Sequence, residues 1–413
     1  GGAPRRDAVR AAFARVGGAA VDDAWPRVSA ALDRYTAAWT RMSVDSCEAT
    51  HVRGEQSAAV LDLRTSCLGA GLQRLRALTD VLAAADRGVV REAVAAVDAL
   101  PDVAACADVE ALKAVTPLPS DPAARARDEA LRRRVAEANA LKDTGKMAEA
   151  EPLARALVVD ARAAGYDPTL AEAAMLNCWL EDHSGRWAAA AALCEEALWA
   201  AEASRDDDVG ATAAAQLAGL SVARRDDSAR WTRLARAIVK RMGPGHDRVA
   251  GWIAHNEANA ALEMGDAKAA RGLYERAIAI KTAALGPEHP DVAVSLNSYG
   301  NTLHELGADE DGLKALARAA AIFERAYGPG NRFVAMALQN EGEILDATDR
   351  PREALPLPVG ESRFALARAL WDAGGDRRRA RALAEAAREA YGRATNAQKE
   401  IAGIDAWLAS HRV

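Results

Sequence analysis

Apolar residues recur along most of this chain at helical spacing, in stretches divided by short breaks built on Gly, Pro, Asp and Asn. Alternating runs of β-branched and aromatic residues are absent, so helices are expected throughout and sheet almost nowhere. The breaks are themselves periodic. Gly286 and Pro287 return 42 residues later as Gly328 and Pro329, and an apolar helix follows each pair, opening at Val292 and at Val334. A turn glycine keeps the same interval from Gly265 to Gly307. Upstream the step is 40 residues, from Gly145 to Gly185 and then through Arg225 to Gly265. A fixed period of this size means stacked supersecondary units, none of which buries its apolar face alone.

Within each unit, small residues fall where one helix would cross the next: Cys178 with Ala190 and Ala197, Ala258 with Ala270 and Ala277, Gly300 with Gly312 and Ala319. Small side chains let backbones approach closely, while Tyr274, Tyr299, Leu303 and Leu316 fill the gaps between. This pattern resembles the tetratricopeptide repeat over residues 125–392. The 42-residue step and the LGPEHPDVA connector are similar to the long repeats of kinesin light chains. The expected fold is therefore all-α: an N-terminal helical bundle followed by a tetratricopeptide superhelical solenoid.

Composition agrees with helices. Of 413 residues 50% are hydrophobic, dominated by Ala, and only 5% are aromatic. A net charge of −6, with bases and acids mixed along the helices, makes nucleic acid an unexpected partner. No apolar run reaches the ~18 residues a membrane helix needs, so no span is expected within the chain. The first residues, Gly1 and Gly2 rather than Met, suggest an excised fragment or a cloning remnant.

Residues 1–117 do not carry the period and are expected to form a separate cysteine-bearing bundle, with helices from Arg5 to Val16, Asp22 to about Thr50, Ser57 to Ala85 and Val89 to Ala99. Pro26 would sit in the first turn of the second helix. Residues 118–124 form a Pro-rich linker, and residues 393–413 a capping helix. Cys47, Cys67 and Cys106 all lie in the bundle, whereas Cys178 and Cys194 fall on packing positions of the repeats and are expected in the core. On one straight helix Cys47 and Cys67 would stand about 30 Å apart. A reversal near Gly54 would let them meet at the ~5.5 Å a disulfide needs, and an oxidising compartment would follow. Free thiols in a cytosolic bundle are the alternative.

A second resemblance covers Thr36 to Leu82. Trp39, Cys47-Glu48-Ala49-Thr50, Arg53-Gly54-Glu55-Gln56-Ser57, Leu61-Asp62-Leu63-Arg64 and Cys67-Leu68, with Ser362 to Tyr391 downstream, look like the juxtamembrane module and repeat array of certain large bacterial membrane-anchored Ser/Thr protein kinases. The resemblance implies a regulatory, extracytoplasmic half of a receptor-like kinase. A cysteine that often precedes this module in the family is missing, which leaves Cys106 without an obvious partner.

No catalytic residues are expected. The Gly-rich loop, HRD and DFG elements of a kinase are missing, and Ala279-Ile280-Lys281, which mimics the strand lysine, falls inside a repeat helix. Cys47, His51 and Glu55 share a helical face but lack the paired spacing of a closed zinc site, so no metal or cofactor is expected. What remains is a binding surface for a peptide, a protein or a second copy of the chain. In such arrays the first helix of each pair lines the groove, which selects His255 with Asn259, Asn297 with Asn301, and Gln339 with Glu343, joined by His304. Carboxamides there would pair with an extended backbone, since each is both donor and acceptor. The array is expected to be irregular at 349–374, where Pro356 and Pro358 interrupt a second helix. The expected role is a non-catalytic sensor or regulatory module, with a free-standing cytosolic scaffold as the alternative.

Overall fold

Gly145, Gly185 and Gly307, which mark the period, are tight turns between two helices. In the computed structural model Gly145, Gly185, Gly265 and Gly307 have φ of +79°, +72°, +80° and +74°. Only a residue without Cβ takes this left-handed conformation freely, so the turn of the hairpin repeats with the glycine. The structure describes residues 3–17, 19–223, 228–243, 247–327, 331–348, 364, 367–368, 371, 377–392 and 398–411. Among them every regular element is helical. No described helix is long and apolar enough to cross a membrane. The expected irregularity at 349–374 lies almost wholly outside the described residues.

The chain forms two compact units, Gly1–Glu263 and Met264–Val413. The first begins with α1 (Ala3–Val16), α2 (Ala19–His51), α3 (Ala58–Ala83) and α4 (Arg87–Asp98), then a 3-10 turn (Val103–Ala107) and α5 (Val109–Ala114). Four paired hairpin helices follow, α6 (Pro122–Asp143) with α7 (Met147–Ala164) and α8 (Asp167–His183) with α9 (Trp187–Ser204). The unit closes with α10 (Asp207–Ala223), α11 (Ser228–Met242) and α12 (Asp247–Glu263). Local chemistry sets the starts: Ser57 caps α3 by accepting from Val60 N–H, Asp86 caps α4 from Val89, and Asp121 caps α6 from Ala124 just before Pro122. Because α2 starts at Ala19, Pro26 lies inside the helix rather than in its first turn.

The motif residues of Thr36 to Leu82 close the hairpin between α2 and α3. Arg64, almost wholly buried, donates to Asp45 Oδ2 (2.8 Å) and Gln56 Oε1 (3.0 Å). Arg53 holds the other Asp45 oxygen (2.8 Å) and reaches Glu55 (2.7 Å), while Gln56 ties back to Ser46 O (2.8 Å) and Thr50 (2.9 Å). Gly54 turns the chain at φ +66°. The Arg64 and then the Arg53 hydrogen bonds hold the Asp45 carboxyl below the usual carboxylate range.

This hairpin corrects the expected cysteine pairing. Tyr35 donates to Gly71 O, Trp39 Nε1–H to Leu68 O and Arg64 to Asp45, which fixes the antiparallel register. In that register Cys47 faces the stretch around Leu61, roughly six residues or about 9 Å along the axis from Cys67. Cys67 instead bonds Cys106, with Cα atoms 5.6 Å apart, inside an apolar cluster of Leu68 and Val103 flanked by Trp39 and Met42. Cys47 is a free, exposed thiol. Cys178 and Cys194 are buried core residues as expected, but they are also disulfide-bonded to one another across α8 and α9.

The bundle is fastened to the first repeats. Both α3 and α4 pack on α6, and Arg74 reaches Asp143 (3.6 Å). The chain entering the Pro-rich stretch is pinned as well: Thr116 N–H donates to Ser204 O (2.9 Å), and Tyr166 Oη donates to Thr116 O (3.0 Å). Segment 118–124 therefore lies within the first unit. Nearby, Asp206 accepts from Val209 N–H (3.2 Å) at the start of α10. Burial, reinforced by repulsion from Glu172, pushes its carboxyl up to about 7.

The second unit contains α13 (Ala267–Leu285), α14 (Pro290–Glu305), α15 (Asp309–Tyr327) and α16 (Arg332–Ala347). Its closing pair is α17 (Arg377–Gly392) and α18 (Gln398–Ser410). Where α14 crosses α15, Gly300 and Gly312 touch. A Cβ on Gly300 would stand 2.7 Å from Leu316 Cγ and 3.0 Å from Gly312 O, closer than atoms pack.

Two backbone positions give opposite expectations. Gly300→Ala must push α14 from α15 and should destabilise the fold by about 1–3 kcal/mol. Arg205, the non-glycine with positive φ (+60°) among the described residues, ends α9 where Gly165 ends α7, and Arg205→Gly should stabilise by about 1 kcal/mol. Urea denaturation of both variants checks the pair.

Asp206 makes stability depend on pH. Its folded pKa lies above the unfolded value of ~3.9, so the folded chain binds the extra proton and this contribution is lost as pH rises from about 4 to about 7. Asp206→Asn keeps the helix cap but cannot ionise. Melting curves from pH 4 to 8 should therefore show the variant gaining on the parent chain as pH rises; parallel curves would contradict this.

Candidate functional site

Within each unit the first helices of the hairpins are tied to one another by carboxamides at one recurrent position. Gln216 on α10 donates to Asp182 Oδ2 on α8 (2.7 Å), and 40 residues later Asn256 on α12 donates to Ala215 O on α10 (3.0 Å). In the second unit Asn340 on α16, at the same place in its helix, donates to Asn297 Oδ1 on α14 (3.0 Å). Each bond bridges two successive first helices of one unit, so within each unit the wall they form is held by directional contacts as well as apolar packing. Burial raises the Asp182 carboxyl, and the Gln216 bond partly offsets it. The rung positions were missed because the selected register lies one residue earlier. A signal was present, since Gln216 and Asn256 are separated by one repeat length.

The selected residues divide between this ladder and the surface. Asn297 is only 6% exposed, with its carbonyl engaged by Asn340. His255 is buried with its ring edge-on to Trp252, centroids 5.2 Å apart. Asn259 and Asn301 are part-exposed one turn further along their helices. Gln339 donates to Glu343 (2.8 Å), and Glu343 is exposed. His304 Nδ1 lies 2.6 Å from Asp309 Oδ1 at the hairpin turn, an end-of-helix contact. Beside this face, Tyr299 donates to Glu275 (2.8 Å), which also accepts from Arg271 (2.9 Å). The Arg271 bond, then the Tyr299 bond, hold the Glu275 carboxyl below its usual range. The α14 and α16 faces thus carry Asn301, Gln339 and Glu343 outward over an internally bonded wall. Among the described residues no group of three or more His, Cys, Asp or Glu converges in a way that could hold a metal ion.

The rung and the surface residue should respond differently to substitution. Asn340→Ala leaves the buried Asn297 carbonyl without its donor and should cost about 1–3 kcal/mol. Asn301→Ala should stay within about 0.5 kcal/mol of the parent chain. Thermal melts of the two variants make the comparison, and equal losses would contradict the division.

A family model supports the repeat reading. The tetratricopeptide-repeat family model matches residues 249–311, from α12 to the start of α15. No curated protein matches the chain. Among solved structures, the crystal structure of BtubC (BKLC) from P. vanneervenii is similar, at 22% identity and a TM-score of 0.42, covering 60% of this chain and 92% of that one. The glycine turns and small-residue crossings of this chain, together with the family match, give it a region of the tetratricopeptide-repeat type, helical throughout its described residues.

Proposed function

We propose that this chain is a non-catalytic binding module in which the first helices of the second unit, α14 and α16, hold an extended peptide or protein segment. Tetratricopeptide repeats generally mediate protein–protein interactions, which supports the class of function. The observation that carries the reading is the division of the carboxamides in the second unit: Asn340 and Asn297 fix the wall, while Asn301 and Gln339 stay part-exposed. A wall held in place before binding loses less entropy when a ligand arrives. A second copy of the chain is the other candidate occupant.

In its finer form the module is the extracytoplasmic half of a receptor-like Ser/Thr protein kinase, and ligand binding or oligomerisation would bias an attached catalytic domain. The residues of Thr36 to Leu82 support this through their resemblance. The pairs Cys67–Cys106 and Cys178–Cys194 support an oxidising, periplasmic setting. One observation favours the free-standing cytosolic scaffold instead: Cys47 is an exposed free thiol, which a reducing compartment tolerates best.

A peptide selected from a random display library on the full chain provides the ligand for a direct test. Asn301→Ala and Gln339→Ala should each weaken its capture by about 1–3 kcal/mol while leaving the melting temperature nearly unchanged. Unchanged affinity in both variants would remove these faces from the binding surface.

A further inference from the structure

A cavity of about 300 Å³ opens in the first unit between α1, α2 and α3, remote in sequence from the first helices of the repeats. Its walls are apolar: Val9 and Leu75, both buried, with Trp25 and Leu32 beside them. Its rim is basic. Arg5 pairs with Asp80, and Arg6 pairs with Asp33 (3.1 Å) and donates to Ser29 Oγ (2.7 Å). Arg76 is exposed and forms no ion pair among the described residues. Three guanidinium groups therefore meet two carboxylates, one positive charge in excess on a chain whose net charge is −6. The wall hydroxyls are committed to their own helices, Thr36 donating to Leu32 O (2.9 Å) and Thr79 to Leu75 O (2.9 Å). That leaves the Arg76 guanidinium as the uncommitted charged donor at the mouth.

An apolar chamber with a cation at its mouth selects a molecule that is hydrocarbon at one end and anionic at the other. We propose that this cavity binds a small amphipathic carboxylate, an alkyl or aryl acid, with the carboxylate on Arg76 and the hydrocarbon against Trp25, Leu32 and Leu75. Its volume corresponds to about ten water molecules at ~30 Å³ each, so the ligand has about that many non-hydrogen atoms, the size of octanoate. A free phosphate would leave the apolar walls unfilled, and an alcohol would forgo the charged hydrogen bond. This site is separate from the peptide-binding faces and does not rest on them.

Titration calorimetry of the full chain with octanoate, and with octanol and octylamine as comparators, tests the assignment. Octanoate should bind one site per chain, weaken with added salt, and exceed octanol by about tenfold, as a charged hydrogen bond implies. Arg76→Gln orphans no partner; it should lower octanoate affinity about tenfold and leave octanol binding and the melting temperature unchanged. Leu32→Trp should fill the chamber and abolish both. Absence of a saturable octanoate site overturns the proposal. So does octanoate binding equal to that of octanol or octylamine and indifferent to Arg76→Gln, because the rim charge would then play no part.

Discussion

The repeats depend on how closely two helices of a hairpin can approach. Where α14 crosses α15 the contact is backbone against glycine, and a single methyl on Gly300 or Gly312 would collide with the partner helix. In the first unit Cys178, Ala190 and Ala197 occupy the matching crossing of α8 and α9, all fully buried. There the approach is close enough for Cys178 to bond Cys194. Small residues at the crossing bring larger neighbours into contact around it, among them Leu198 and Leu217 in one core and Ile322 and Phe323 in another. Dispersion and apolar burial then act over the whole length of the pair.

Directional bonds add what apolar packing alone does not supply. Apolar contact tolerates sliding, but the Gln216–Asp182, Asn256–Ala215 and Asn340–Asn297 bonds each specify one register between successive first helices. In the N-terminal bundle the Asp45–Arg64–Gln56 network has the same effect on α2 and α3. It also accounts for Thr50, Arg53, Glu55, Gln56 and Arg64, whose side chains close the hairpin.

Much of this was legible in the sequence because period and residue size are local properties. The turns at Gly145, Gly185 and Gly307, the small-residue crossings of α8 with α9 and of α14 with α15, and the helices of the bundle follow from spacing. The cysteine pairing was not legible, because it depends on how far α3 slides along α2, and that is set by Trp39, Tyr35 and Arg64 rather than by the cysteines. The place of Asn297 in the repeat is that of a groove residue. Whether its carbonyl faces a ligand or Asn340 depends on how far neighbouring helices rotate, which no single repeat encodes. The division of the chain after Glu263 has no counterpart in composition, since the family match itself runs across that point.

The hairpin register is tested most directly by mass spectrometry of non-reduced peptides from protein purified without reductant in its native host. The structure predicts cross-linked peptides joining Cys67 to Cys106 and Cys178 to Cys194, with Cys47 alone open to alkylation. A peptide joining Cys47 to Cys67 would contradict the register of α2 and α3 and the arrangement of the bundle built on it.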